Sequence, residues 1–163
     1  MHTPRELEKQ FWKSLKSDMT MMLGLVGVDQ SHARPMTAQL DGEAHSAIYF
    51  ITAKDTSIVE ALGGRERRGF ATYAAKGHGL FAALAGTLAV DHDRATIDRL
   101  WNRFVAAWFE GGKDDPKLAL LRFEPDEAEI WQNDSSFLAG VKLLLGADPK
   151  EEYRDKVAKV RLG

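Results

Sequence analysis

A proline stands inside a strand-like run of this chain, at Arg34-Pro35 in the stretch from Ser31 to Ser57, SHARPMTAQLDGEAHSAIYFITAKDTS. Proline fixes its own φ and carries no N–H, so within a sheet it belongs on an edge strand or at a bulge. The stretch reads as two strands folded back through Asp41-Gly42. The first carries Arg34, Pro35, Met36 and Thr37. The second, Tyr49, Phe50, Ile51 and Thr52, is followed by the hydroxyls of Thr56 and Ser57. An edge with free backbone groups and side chains of mixed polarity suits a flat, partly polar ligand, so this stretch is expected to form one wall of a cofactor site.

Composition narrows what that ligand can be. A chain of 163 residues, 44% hydrophobic and 28% charged, supports one core of ordinary size, and residues 1–163 are expected to form one domain. A formal charge of -2 supplies no global field to draw in nucleic acid or an anionic membrane, so neither is an expected partner and any phosphate must be held locally. The absence of cysteine removes disulfides, thiolate nucleophiles, iron-sulfur clusters and Cys-type zinc sites together. The N-terminal MHTPRELEKQFWK is charged throughout, and no window approaches the roughly 20 apolar residues of a spanning helix. A cytoplasmic protein is the expectation.

Taken in order, Thr3-Pro4-Arg5-Glu6 reads as a capped helix start, followed by the apolar stripe Leu7, Phe11, Trp12, Leu15 within residues 1–17. Met19 to Val28 reads as a buried strand, because Gly24 and Gly27 each weaken a helix by about 1 kcal/mol. Ser57-Ile58-Val59-Glu60 predicts a second capping box, opening a short helix that Gly63-Gly64 ends. Gly69 to Ala75 and Leu80 to Val90 predict an antiparallel pair, and Asp93 to about Trp108 one amphipathic helix whose aromatic stripe is mostly core. Two short strands, Leu118 to Glu124 and Ala128 to Gln132, are expected on either side of a turn at Pro125-Asp126. Phe137 to Leu145 then suggests a helix, and Val157, Val160 and Leu162 a last edge strand in the charged tail 146–163. Short strands joined mainly by hairpins argue for a mainly β fold, a small antiparallel barrel with peripheral helices.

The chemistry-bearing residues point to binding more than to hydrolysis. The five histidines are scattered without metal spacing, and no metal site is expected. Asp114-Asp115, beside Pro116, reads as turn and cap residues, and Gly111-Gly112-Lys113 lacks the spacing and hydroxyl of a P-loop. Thr52, Thr56 and Ser57 gather where a strand ends and a helix begins, and with Arg34 they could hold a phosphate through charge-assisted bonds. The other reading is that Ser57 only caps the helix and Arg34 only pairs with a surface acid. No residue stands out as a catalytic acid or base.

Three segments together resemble one family. They are His32-Ala33-Arg34-Pro35-Met36-Thr37, the Tyr49-Phe50-Ile51-Thr52 strand with its hydroxyls, and Trp101 through Trp108-Phe109-Glu110-Gly111-Gly112-Lys113-Asp114-Asp115-Pro116. In order and spacing, from about Leu7 to Trp131, the chain resembles the general stress protein branch of the pyridoxamine 5'-phosphate oxidase-like flavoproteins. The resemblance implies a split antiparallel β-barrel and a homodimer with FMN, or FAD as the alternative, in a groove between subunits. It implies a flavin-dependent oxidoreductase or flavin carrier. Arg34, Pro35, Met36 and Thr37 would line the isoalloxazine, Tyr49, Phe50, Ile51 and Thr52 the adjacent wall, and Thr52, Thr56 and Ser57 the phosphate. Trp108 and Lys113 would stand near the flavin or the subunit contact. The chain departs from the pattern at Ile58, where relatives commonly place a lysine; a barrel without flavin, acting as a scaffold, is the alternative this suggests.

Overall fold

The computed structural model describes residues 3–28, 32–42, 47–133 and 157–162. It is a mainly antiparallel β structure with a few short helices. Helix α1 (Pro4–Ser17) starts as the sequence predicts. The Thr3 hydroxyl accepts from the Glu6 N–H at 3.2 Å and the Glu6 carboxylate accepts from the Thr3 N–H at 2.8 Å. Its stripe, Leu7, Phe11, Trp12 and Leu15, is buried in the main core, where the Phe11 ring meets Tyr73 edge-on at 5.8 Å. Ser14 and the Tyr73 hydroxyl, 2.7 Å apart, tie the helix to the sheet.

Seven strands follow: β1 (Thr20–Leu25), β2 (Arg34–Thr37), β3 (Ile48–Ala53), β4 (Arg67–Ala74), β5 (Leu80–Asp91), β6 (Leu118–Gln132) and β7 (Val157–Arg161). They form one sheet in the order β2-β1-β4-β5-β6-β3, with β7 also on β6. The pairing of β2 differs from the sequence expectation. The fold-back toward β3 is limited among the described residues to one antiparallel bridge past the end of β2, and β2 itself pairs antiparallel with β1, setting Met36 opposite Met21 and Pro35 opposite Met22. β3 lies at the far end of the order, paired with β6. Pro35 is on an edge strand, as a residue without an N–H requires. The sheet curls until its two ends meet at one bridge, Gln39 with Tyr49. Among the described residues no ladder closes it.

β6 is a single strand where two were expected. The register opposite Ala85 and Gly86 passes from Glu127 to Pro125, so Asp126 is the extra residue of a bulge. β3 covers β6 only as far as Phe123 and β7 resumes at Glu127, which leaves Pro125 between partners. The Asp126 carboxylate, turned outward, takes the Arg68 guanidinium at 2.7 Å. Close packing at this bulge demands glycine on the facing strand: a Cβ on Gly86 would lie 2.1 Å from the Glu124 carbonyl oxygen and 2.6 Å from the Pro125 Cα.

Two further expectations change. The helix after β3, α2 (Ser57–Leu62), is capped at Thr56 and not through a Ser57 capping box: the Thr56 hydroxyl donates back to the Ala53 carbonyl at 2.8 Å. Asp93 to Trp108 is two helices, α3 (Arg94–Leu100) and α4 (Arg103–Ala106), because Trp101 is extended and Asn102 caps the second, accepting from the Phe104 and Val105 N–H groups at 2.9 and 3.0 Å. The break redistributes the stripe. Ile97, Leu100, Val105 and Phe109 form a second buried cluster with Leu118 and Leu120, whereas Phe104 and Trp108 are 70% and 84% exposed. The β4–β5 pair and the final strand β7 stand as expected; the proposed helix at Phe137 to Leu145 lies outside the described residues.

Gly86→Ala is expected to cost about 3 kcal/mol, since the methyl group meets backbone that the bulge holds in place. Urea unfolding of variant and parent checks this; a loss under about 0.5 kcal/mol would mean the bulge yields.

Candidate functional site

The two sheet ends that meet at Gln39 and Tyr49 splay apart beyond that bridge. Between them opens a cleft of about 580 Å³. Strand alternation assigns its backbone edges. The Ala38 N–H donates to the Met19 carbonyl at 2.6 Å, so Arg34 and Met36 also turn their peptide groups to β1. Pro35 and Thr37 therefore turn theirs to the gap, as Gln39 does in its bridge. On the facing strand, Tyr49 bonds Gln39 and the Lys54 N–H donates to the Lys117 carbonyl, which leaves Ile51 facing the gap. The cleft thus offers the N–H and C=O of Thr37 and Ile51 and the lone C=O of Pro35.

Of the residues expected to form the site, Arg34, Pro35, Met36, Thr37, Ile51, Thr52, Thr56 and Trp108 line this cleft. Ser57 stands beside it and is joined to Arg34, whose guanidinium donates to the Ser57 hydroxyl. Ser57 therefore does not serve as a cap, and Arg34 meets a hydroxyl in place of a surface acid. The Arg34 Nε is buried without a hydrogen-bond partner. Arg34 is the only formally charged side chain among the described residues lining the cleft, and no carboxylate opposes it.

Three expected residues lie elsewhere. Phe50 is fully buried in the main core, because alternation along β3 sends Ile48 and Phe50 inward. Tyr49 points to the other face, against the second cluster, and its hydroxyl pKa is raised by burial first and by Asp91 and Asp41 after it. Lys113 pairs with Asp98 at 3.3 Å, outside the cleft lining. Ile58 is 3% exposed and packs in the main core.

The cleft also takes Thr20, Gln39, Ala53, Phe104, Val105 and Phe109, which sequence reasoning missed. Thr20 follows from its register with Thr37, and Phe104 from the helix break at Asn102; neither is legible before the pairing and the break are known.

The segment Gly111 to Pro116 has a structural task beside this cleft. The Asp115 carboxylate accepts from the Gly111 N–H at 3.0 Å and the Lys117 N–H at 2.9 Å, clipping the loop that follows Trp108 and Phe109. Asp114 pairs with Arg94, and Lys113 with Asp98, which fastens the same loop to α3. As the sequence suggested, the acid pair makes turn contacts. A Cβ on Gly111 would lie 3.0 Å from the Asp115 Cα, and Gly112 has φ +65°.

The Lys117 N–H, and next the Gly111 N–H, hold the Asp115 carboxyl below the ordinary carboxylate range. A folded pKa below the unfolded value, about 3.9, makes the clip fully effective above that value and lost as pH falls through the lowered one. The loop is expected to keep its form from neutral pH to about pH 4 and loosen below it. The emission of the exposed Trp108, isolated by comparison with Trp108→Phe, follows this; loosening already at pH 6 would contradict the clip.

Comparison with known proteins agrees with this architecture. Residues 6–153 match the family model described as pyridoxamine 5'-phosphate oxidase like. General stress protein 26 of Bacillus subtilis is 29% identical over 110 residues, covering 66% of this chain and 76% of its own. The solved general stress FMN/FAD binding protein of Xanthomonas citri is 55% identical with a TM-score of 0.76, covering 81% of this chain and 92% of its own. A chain assigned to the general stress family from Xanthomonas campestris pv. campestris is 56% identical, TM-score 0.77, with 83% and 93% covered. The curled antiparallel sheet, the cleft at its open seam and these matches place the chain in the pyridoxamine 5'-phosphate oxidase-like family, among its general stress proteins.

Proposed function

We propose that the chain binds FMN in the seam cleft and serves as a flavin-dependent oxidoreductase or flavin carrier. The observation that carries this is the cleft's donor set. Unpaired strand-edge peptide groups of Thr37 and Ile51 suit the amide-like rim of a flat heterocycle. Arg34, with no carboxylate among the described residues lining the cleft and with a buried Nε lacking a partner, suits a phosphate. The Thr52 hydroxyl, and that of Ser57, which accepts from Arg34 and keeps its own proton to donate, add donors, whereas the Thr56 O–H is given to the Ala53 carbonyl. The Xanthomonas citri neighbour is itself an FMN/FAD binding protein.

A bound flavin would supply the electron or hydride transfer. The chain's own part is to orient it: apolar Ile51, Val105 and Phe109 exclude water from one side, and Arg34 anchors the anionic end. Among the described residues of one protomer, the lining contains no Asp, Glu, His, Lys, Cys or Tyr. A subunit contact is part of the same reading. Phe104 and Trp108 are large apolar side chains exposed at the cleft, as expected where a second copy of a split barrel covers a shared site.

The scaffold alternative had its motive in Ile58. That side chain packs in the core and is absent from the cleft lining, so a cation at this position would not reach the proposed phosphate end without repacking the helix. The cleft keeps its own cation in Arg34. We place the protein in the cytoplasm; among the described residues no helix is long and apolar enough to cross a membrane.

Purified protein is expected to show flavin absorption, or to quench FMN fluorescence on titration; the absence of both effects would defeat the proposal. Arg34→Ala is expected to weaken FMN binding by about 1.5–3 kcal/mol, the value of a charged hydrogen bond, and unchanged affinity would remove Arg34 from the phosphate. With FMN bound, stopped-flow reduction by NADH or NADPH separates an oxidoreductase from a carrier. Sedimentation is expected to give a two-fold assembly, and Trp108→Ala to shift it toward monomer while changing protomer stability by under about 0.5 kcal/mol; a tight FMN complex that sediments as a monomer contradicts the shared site.

A further inference from the structure

Four of the five methionines, Met19, Met21, Met22 and Met36, lie on or beside one hairpin, β1–β2, in a chain without cysteine. That hairpin is one wall of the cleft. Within a single protomer its sulfur atoms are graded in access: Met19 and Met22 are 40% and 38% exposed, Met36 is half-buried in the cleft lining, and Met21, directly across the ladder from Met36, is 1% exposed. Met36 occupies a double position, packed against the main core on one side and facing the cleft on the other. Exposed thioethers are the oxidisable sulfur of a cysteine-free surface.

We infer that this wall is an oxidation site, with Met36 as the residue that couples oxidant exposure to the state of the cleft. The oxidant is of the hydrogen peroxide class. The thioether sulfur gives an electron pair to one peroxide oxygen, an S–O bond forms as the O–O bond breaks, and the other oxygen leaves as water after taking the proton. Sulfur is oxidised by two electrons and peroxide is reduced by two. The product is a polar sulfoxide on a side chain packed against the main core, across the ladder from Met21. Its oxygen demands a donor that the core does not offer, so the side chain turns into the cleft or loosens the hairpin. Met22, across from Pro35 on the same hairpin, oxidises alongside it without that double contact.

The effect on ligand rests on the flavin reading above; the place and structural consequence of oxidation do not. The full chain, treated with graded hydrogen peroxide, is analysed by peptide mass mapping, thermal unfolding and FMN titration, with Met36→Leu treated in parallel because this swap conserves volume. Met19, Met22 and Met36 are expected to gain one oxygen each before Met21 does. Oxidised parent protein should then unfold about 3 °C or more lower and bind FMN at least about tenfold more weakly, a change of 1.4 kcal/mol. Oxidised Met36→Leu should change little in either. Met36 protected as well as Met21, or equal losses in Met36→Leu, overturns the inference. Should untreated protein fail to bind FMN, the flavin reading falls, and the mass map and unfolding midpoints still decide this one.

Discussion

Two hydrogen bonds between the backbones of Gln39 and Tyr49 govern the shape of this protein, at 2.7 and 2.9 Å. They bring together the opposite ends of a seven-stranded order, and they stop there. Had the ladder run on past Thr37 and Ile51, the seam would have sealed and no cleft would remain. Pro35 works against such sealing because it has no N–H to give. After Ala53 the chain turns at Thr56 into α2, so β3 offers the seam no further strand. The cleft is therefore the unzipped part of a nearly closed sheet, and its polar lining is the backbone that closure would have consumed.

Around that seam, two buried clusters divide the work. The larger one fills the inner side of the curl, with Leu23, Phe50, Leu121 and Phe123 from the strands and Phe11 and Leu15 from α1. The smaller one, under α3 and α4, rests on the outer face of β3 and β6 through Leu118 and Leu120. β3 is thus packed on both faces near its edge, which fixes the cleft wall on that side. The opposite wall is lighter: a four-residue edge strand held by β1 and by the contact from Arg34 to Ser57. The asymmetry makes the β2 side the one that a ligand, or a chemical change at Met36, can move.

Local features were legible in the sequence wherever the signal and the structure share a short range. The Thr3 to Glu6 cap, the stripe of α1, the β4–β5 pair and the edge placement of Pro35 all follow from neighbours within a few residues or from one missing donor. The errors share a cause as well. Pro125 looks like a turn until β3 and β7 are seen to leave it between them, and Asp93 to Trp108 looks like one helix until Asn102 is seen to cap a second. Periodicity counts apolar residues; it does not register a cap that competes with helix continuation.

For the site, the sequence by itself determined which groups were available. It supplied one proline on a polar edge, one arginine beside it, hydroxyls at the end of a second strand, an aromatic and glycine-rich segment, and no cysteine. Only the tertiary structure decided which of them meet. The pairing of β2 with β1 put Arg34 to Thr37 across a gap from Ile51 and Thr52, strand alternation sent Phe50 into the core, the buried face of α2 took Ile58 there, and ion pairing drew Lys113 to Asp98. The physical reason is that strand pairing and core burial are chosen by contacts between residues distant in the chain, whose free energies no local pattern contains.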